Sequence, residues 1–186
     1  MSKLIIGLTG RAGAGKDTLG RLIKEHHDVE LIAFADPLRD FVYDCNPLIC
    51  NDIYLQDVID RCGWQGYKET QHAPEIRRVV QRFGTEGVRN HMGANTWVSL
   101  AMDRVKKSKA SVVVLTDVRF SNEFNAVVRA GGVNVGIVRS DGIRADEGHS
   151  SESEVAKLIK KVDVVIENDR NPEDMYIDLT YQIDLL

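Results

Sequence analysis

Five short runs of apolar residues recur along the chain and predict buried β-strands. They are residues 3–8, 30–35, 111–116, 133–138 and 162–167. All are rich in Val, Ile or Leu, and most are continuous rather than alternating. A continuous apolar run suits a parallel sheet that is covered on both faces, whereas an alternating run has one face in water. The pattern therefore predicts a parallel sheet between two layers of helices.

Apolar residues at helical spacing lie between these runs. The groups are Leu19, Leu22 and Ile23; Ile76, Val79, Val80 and Phe83; Trp97, Leu100, Ala101 and Val105; and Phe124, Val127 and Val128. The last group precedes Gly131, which is typical of a helix C-cap. Trp97 shares its spacing with core residues, so we expect it to pack in the core rather than to stack on a base. Strands that alternate with helices predict a doubly wound α/β fold.

Two segments interrupt this alternation within a chain that we expect to form one domain, residues 1–186. Residues 36–108 separate the second and third runs, which is far more chain than one crossover helix needs. They predict a helical insertion that holds a substrate. Residues 140–150, a polar and glycine-containing stretch after the fourth run, predict a lid, with a plain surface loop as the alternative.

Composition excludes several classes of protein. The chain has 186 residues, 43% hydrophobic and 28% charged, which fits one soluble domain. Its net charge of -4 argues against a general nucleic-acid binder. The three cysteines form no CxxC pair, so we expect reduced thiols rather than disulfides or a zinc site. The first apolar run is too short for a membrane span or a signal peptide, so we expect a cytoplasmic protein, in the host cytoplasm if viral.

The strongest motif is a glycine-rich loop between the first predicted strand and the first predicted helix. It reads Gly-Arg-Ala-Gly-Ala-Gly-Lys-Asp-Thr over residues 10–18. Glycines let the backbone curl so that its N–H groups point at phosphate oxygens, and the helix N-terminus adds partial positive charge. The motif predicts a P-loop in which Lys16 reaches the β- and γ-phosphates of ATP, with a turn that binds no nucleotide as the alternative. The predicted ATP contacts are Arg11, Ala12, Gly13, Ala14, Gly15, Lys16, Asp17 and Thr18.

One position of the loop departs from the usual P-loop pattern. Ser or Thr normally follows the lysine and binds Mg²⁺, but here Asp17 follows it and Thr18 comes next. Asp17 could bind Mg²⁺, directly or through water, or orient the attacking oxygen of an acceptor, and the sequence leaves these roles open. Asp117 closes the third run and is placed to hold Mg²⁺ or a metal-bound water. Capping the following turn is the alternative for Asp117.

Several arginines are candidates for binding the phosphate of an acceptor. They are Arg39 after the second run, Arg78, Arg82 and Arg89 in the insertion, and Arg119 after the third run. Guanidinium groups bind phosphates in a planar fork, and ligands of such sheets bind beyond the carboxyl ends of the strands. An arginine of this kind taken alone is more often a solvated surface side chain, but the concentration of these arginines near strand ends favours a binding role.

Other charged residues are candidates for the reaction itself. Arg139 ends the fourth run and Arg144 lies in the predicted lid, whose closure could bring such an arginine onto the γ-phosphate. Arg11 could share this role. Asp36 has two interpretations that the sequence leaves equal: it orients an acceptor oxygen, or it caps the helix that begins at Pro37.

Several segments together resemble a known family, the phage-type deoxynucleoside monophosphate kinases. They are GRAGAGKDT, FADPLR, QRFGTEGVR, TDVRFSNE, and HSSESE ahead of VDVVIEN. The resemblance runs from the first strand to about Asn168, and the aspartate after the lysine is normal for this family. It implies a P-loop NMP-kinase-like fold with central strand order 2-3-1-4-5. It also implies ATP and Mg²⁺ as cosubstrates and a deoxynucleoside monophosphate as acceptor.

The resemblance also assigns residues to the two substrates. It implies that Arg39, Arg82, Arg89 and Arg119 lie near the acceptor, and that Asn168 and Asp169 lie near the adenine of ATP. We therefore expect small-molecule partners, no nucleic acid and no membrane, and a homodimer stays open. A P-loop kinase for another phosphorylated metabolite and a non-catalytic nucleotide-binding module are the alternatives. A GTPase switch is excluded, because the sequence has no NKxD segment and no DxxG after the third run.

Overall fold

The computed structural model describes residues 3–139 and 150–183. Two compact units divide the chain: the larger comprises Met1–Phe34 and Ala101–Leu186, and the smaller comprises Ala35–Leu100. Of the segment predicted as a lid, residues 140–149 lie outside the described residues, and so does the catalytic candidate Arg144.

The strands and helices of the larger unit alternate as predicted. In chain order the elements of both units are β1 (Leu4–Thr9), α1 (Lys16–His26), β2 (Val29–Ile32), α2 (Asp36–Cys45), β3 (Leu48–Cys50), β4 (Ile53–Tyr54), α3 (Leu55–Gly66), a 3₁₀ turn (Tyr67–Glu69), α4 (Ala73–Gln81), a π-helical segment (Arg82–Arg89), α5 (Asn90–Met92), α6 (Thr96–Lys107), β5 (Val112–Leu115), α7 (Ser121–Arg129), β6 (Val133–Val138), α8 (Ser150–Leu158), β7 (Val164–Glu167) and α9 (Pro172–Ile183). Among the described residues, no helix is long and apolar enough to cross a membrane.

A five-stranded parallel sheet forms the centre of the larger unit. Its order is β2-β5-β1-β6-β7, and every neighbouring pair is parallel. Counted in chain order among these five strands, the order is 2-3-1-4-5, which confirms the order that the resemblance implied. Because β1 lies in the middle, the loop that follows it emerges between the carboxyl ends of β5 and β6.

Helices cover both faces of this sheet, as the continuous apolar runs predicted. On one face, α1 and α9 pack Leu19 and Met175 into a buried cluster with Ile6 and Leu8 of β1. Gly7 lies between those two strand residues and therefore faces the opposite side. A Cβ atom on Gly7 would lie 2.9 Å from the Val127 side chain of α7. The close approach of α7 to the second face therefore depends on a residue without a side chain.

Some predicted boundaries are wrong, and the hydrogen bonds show why. The second strand ends at Ile32 instead of residue 35, because the Phe34 N–H donates to the Asp117 side chain rather than to a neighbouring strand. Asp117 itself lies beyond β5, which ends at Leu115, and not within the strand. The other predicted strands start and end within two residues of the observed bounds. Two residues of the predicted apolar helix faces, Leu100 and Val128, are exposed.

The smaller unit is mostly helical but also contains a β-ribbon that the sequence pattern did not predict. Strands β3 and β4 pair antiparallel around Asn51 and Asp52, which both have positive φ angles of 38° and 62°. Asn and Asp are the residues that most readily adopt this conformation after glycine, so this turn had a local sequence signal. The unit also ends at Leu100, within α6, rather than at residue 108. Its buried core consists of Val42, Ile49, Leu55, Val58, Ile59, Ile76 and Val79.

Candidate active site

The glycine-rich loop connects the end of β1 to the start of α1. Gly13 and Gly15 have positive φ angles of 75° and 107°, and the Ala14 N–H donates to the Arg11 carbonyl at 3.1 Å. The first helical bond runs from the Leu19 N–H to the Gly15 carbonyl at 2.9 Å. The amides of the first turn, Asp17 and Thr18 among them, therefore have no acceptor within the helix, and such amides can bind an anion.

Lys16 is the buried cation of this loop. The residue is only 8% exposed. Its side-chain Nζ donates hydrogen bonds to the carbonyls of Gly10 at 2.7 Å and Arg11 at 2.8 Å. A buried ammonium group requires such oxygen partners. The lysine thus lies folded over the loop and is already desolvated at the position where a P-loop lysine binds phosphate oxygens.

A cavity of about 300 Å³ lies beside the loop in the larger unit. Arg11 and Ala14 of the loop line it, together with Ile137, Val138 and Arg139 at the end of β6 and Ala156, Ile159 and Lys160 from α8 and the residues after it. The cavity combines apolar walls with three cationic side chains. Of these cations, Lys160 was not predicted, because nothing in the sequence distinguishes it from its neighbours Lys157 and Lys161.

Asn168 contacts the loop from the other end of the sequence. It follows β7, and its side-chain Nδ2 donates to the Ala14 carbonyl at 2.8 Å. Its backbone N–H donates to the Val138 carbonyl at 2.8 Å. Asp169 comes next and is exposed. The structure thus brings Asn168 to the P-loop, while its predicted contact with adenine stays a prediction.

The turn after β5 is held by hydrogen bonds to two carboxylates. Asp117 accepts the Phe34 N–H at 2.6 Å. Glu123, which is buried at the start of α7, accepts the N–H groups of Arg119 at 2.8 Å and Phe120 at 3.0 Å. Glu123 therefore fixes the backbone of the segment that presents the exposed Arg119 side chain. Sequence reasoning missed this role, although the spacing of Glu123 three residues after the turn is that of a capping box.

Two charged pairs in the smaller unit involve Asp36 and the arginine candidates Arg39 and Arg78. Helix α2 begins at Asp36 with Ala35 at the N-cap, so the interpretation of Asp36 as a cap is wrong. The Asp36 carboxylate instead lies 3.0 Å from the Arg39 guanidinium, and both side chains are partly buried. Arg78 donates to Glu75 at 2.8 and 2.6 Å, and these hydrogen bonds hold the pKa of the Glu75 carboxyl below its usual range. The Arg78 guanidinium thus forms an ion pair with a carboxylate of the same helix.

The π-helical segment carries the other two acceptor candidates of the smaller unit. Arg82 and Arg89 are its first and last residues, and Arg82 lies 3.3 Å from Glu86 with both side chains exposed. Wider π-helical turns leave backbone groups without regular partners and are frequent at functional sites. Here Trp97 donates its Nε1–H to the Gly84 carbonyl at 3.1 Å. Trp97 is buried, which confirms its predicted place in the core.

Solved structures of other proteins share this architecture of a parallel sheet covered by helices. TT1252 from Thermus thermophilus aligns with a TM-score of 0.56 and 17% identity over 100% of this chain and 99% of that one. The shikimate kinase of Aquifex aeolicus aligns with a TM-score of 0.51 and 13% identity over 97% and 96% of the two chains. The shikimate kinase of Acinetobacter baumannii, solved in complex with shikimate, aligns with a TM-score of 0.51 and 15% identity over 98% and 94%. At these identities the likeness shows the fold alone.

The family itself is shown by sequence. The chain belongs to the deoxynucleotide monophosphate kinase family, whose model matches residues 64–179. A protein of Acanthamoeba polyphaga mimivirus, named as a candidate deoxynucleotide monophosphate kinase, is 28% identical over 197 residues, covering 97% of this chain and 96% of that protein. The protein is therefore a nucleotide kinase, a phosphotransferase whose substrates are ATP and a small-molecule nucleotide, as the resemblance implied.

Proposed function

We propose that this chain transfers the γ-phosphoryl group of ATP to a deoxynucleoside monophosphate at the P-loop, with Lys16 as the catalytic cation. The observation that carries this proposal is the buried Lys16 ammonium, held by two loop carbonyls at the first residue of α1. Phosphoryl transfer needs positive charge fixed around the γ-phosphate and little covalent chemistry from the protein. The Lys16 ammonium is already desolvated before the nucleotide binds. Replacing its carbonyl partners by phosphate oxygens therefore costs little further desolvation energy.

The cavity beside the loop is the proposed site of the nucleoside part of ATP. Its apolar walls from β6 and α8 suit a flat base, and Arg11, Arg139 and Lys160 supply charge that favours a polyanionic ligand. Asn168 donates a hydrogen bond to the backbone carbonyl of Ala14, which lines the same cavity. Arg139 lines this cavity together with Arg11 of the P-loop, and we propose that it supplies positive charge close to the phosphates.

Mg²⁺ fits the donor atoms that this region offers. Within residues 3–139 and 150–183, no three His, Cys, Asp or Glu side chains are grouped as a metal site. Kinase magnesium is commonly held by one or two carboxylates together with phosphate oxygens, and Asp17 and Asp117 would supply the carboxylates. When bound, the ion would neutralise charge on the β- and γ-phosphates. Whether Asp17 holds it or orients the acceptor stays open.

Replacing an arginine that is proposed to bind the acceptor should affect the KM for the acceptor and the KM for ATP differently. Replacing Arg119 with alanine should raise the KM for the deoxynucleoside monophosphate by about tenfold or more, because a charge-assisted hydrogen bond contributes roughly 1.5–3 kcal/mol. The KM for ATP should change little. Steady-state kinetics with each substrate varied in turn measure the difference. Arg129→Ala, an exposed change in the last turn of α7, is the matched control. An equal rise of both KM values in Arg119→Ala would mean that the residue is structural.

In the smaller unit, Arg39, Arg82 and Arg89 are proposed to bind the same substrate. Asp36 orients an acceptor oxygen in this proposal, and its contact with Arg39 limits the movement of both side chains. The same kinetic separation is expected for Arg82→Ala and Arg89→Ala.

The proposed function is tested by ADP release with a panel of acceptors. We expect release with at least one deoxynucleoside monophosphate and a slower reaction with unrelated phosphorylated metabolites. ATP binding measured by calorimetry without ADP release for any acceptor would indicate a non-catalytic nucleotide-binding module. Preference for a phosphorylated metabolite that is not a nucleotide would overturn the assigned acceptor.

A further inference from the structure

We infer that Asn168 is a positioning residue of the P-loop, whose side-chain amide sets the peptide plane between Ala14 and Gly15 so that the Gly15 N–H faces the bound phosphates. This inference rests on the proposed function, since it takes the loop to be the phosphate site. It differs from the adenine contact that the resemblance implied for Asn168, because it makes the residue act on the phosphate chain and not on the base.

The contact between Asn168 and the loop has one chemically sensible direction. The two groups lie 2.8 Å apart, and the Ala14 carbonyl can only accept, so the NH₂ group of the asparagine must be the donor. The asparagine is itself anchored, because its backbone N–H donates to the Val138 carbonyl at the end of β6. The Ala14 carbonyl is therefore tied to the sheet.

This tie determines the direction of the next amide. In a trans peptide the C=O and the following N–H point in opposite directions, and the described backbone contains no cis peptide. Because the Ala14 carbonyl points to Asn168, the Gly15 N–H points away from it. If this peptide plane turned over, a carbonyl oxygen would replace the Gly15 N–H and repel the phosphates.

Packing explains why an asparagine can reach the loop backbone. A Cβ atom on Gly15 would lie 2.5 Å from the Asn168 Nδ2 and 3.5 Å from the Met175 Cε. Met175 is 1% exposed, so the loop has the core behind it. The absence of a side chain on Gly15 leaves room for the amide, and the amide in turn limits the movement of the Ala14–Gly15 peptide.

A ligand without a base separates the two roles of Asn168. If the residue positions the loop, its loss weakens the binding of inorganic tripolyphosphate and of ATP alike. If it contacts adenine, its loss weakens ATP only. Leucine has nearly the shape of asparagine but no donor, so Asn168→Leu removes the hydrogen bond without adding charge. Asn125→Leu, on the exposed side of α7, is the matched control.

Calorimetry of the full chain with Mg²⁺ and either ligand is the test. For Asn168→Leu we expect about a tenfold loss of affinity for both ligands, as for one hydrogen bond, in a protein that still unfolds cooperatively with only a slightly lower thermal midpoint, and no loss of affinity in the control. A loss for ATP alone, or no loss for either ligand, would overturn the inference. Asn168→Ala replaces the variant if the leucine prevents folding. Wild-type protein that binds neither ligand would instead show that the proposed function is wrong.

A measurement on the wild-type protein complements the variants. In amide spectra of ¹⁵N-labelled protein, the Gly15 resonance should shift on addition of tripolyphosphate, and it should shift less in Asn168→Leu at equal saturation. A Gly15 amide that does not respond to bound tripolyphosphate would also overturn the inference, because the N–H would then not face the phosphates.

Discussion

Replacing Lys16 with methionine is expected to lower kcat by at least about a thousandfold while the protein stays folded. In the proposed function the ammonium group is the cation of the P-loop at the transferring phosphate, and it is buried beside the carbonyls of Gly10 and Arg11. Arg11, the other cation of the loop, is exposed and lines the cavity, so we do not expect it to replace the buried ammonium group fully. The measurement is ADP release at saturating ATP and acceptor.

Methionine is chosen because it keeps most of the apolar stem of the lysine. The change then removes the charge without opening a void under a residue that is 8% exposed. ATP affinity should fall less than kcat, because the amides of the first turn still bind phosphates. Lys24→Met, in the last turn of the same helix, is the matched control because this lysine is exposed. Activity of Lys16→Met within tenfold of the wild type would show that the loop does not bind the transferring phosphate.

Sequence patterns predicted the larger unit well because its core is simple. A parallel sheet covered on both faces requires continuous apolar strands, and such strands are visible without knowing their partners. The P-loop could be found for a similar reason, since its chemistry depends on backbone amides that only a glycine-rich sequence can turn inward. The strand order, in contrast, came from family resemblance, because apolar runs do not specify which strand pairs with which.

The smaller unit was harder to predict because its structure depends on tertiary contacts. Strands β3 and β4 have only three and two residues, too few for a periodic signal, and the Asn51–Asp52 turn was the one local indication. In the larger unit, the end of β2 likewise depends on a hydrogen bond from Phe34 to Asp117, a residue distant in sequence. Neither the pairing of such short strands nor a hydrogen bond between distant residues produces a periodic pattern within one segment of the sequence.

The candidate site shows the same division between local and distant interactions. The pairs Asp36 with Arg39 and Glu75 with Arg78 are three residues apart on helices, so their contacts could be expected from spacing. The contact of Asn168 with Ala14 joins two distant parts of the sequence. Lys160 lines the cavity only because α8 packs beside the loop. Resemblance to a family can point to such residues, but their contacts come from the fold.

Replacing Gly15 with alanine is expected to destabilise the protein by about 2–3 kcal/mol and to lower ATP affinity by about a hundredfold or more. Its φ of 107° is strained for any residue with a side chain, and the new Cβ would lie 2.5 Å from the Asn168 Nδ2. Relief of that contact requires movement of the asparagine or of the loop, and either movement displaces amides that bind phosphate.

Gly13→Ala is the matched control for this change in stability. Gly13 also has a positive φ, 75°, but a Cβ there would meet no atom of the described residues within 4 Å. Its cost should therefore be the left-handed backbone strain alone, about 1 kcal/mol. Urea unfolding measures both changes, and calorimetry with ATP measures the affinity of Gly15→Ala. If the two variants lose equal stability, the contact between Gly15 and Asn168 does not constrain the loop, and backbone conformation alone accounts for both glycines.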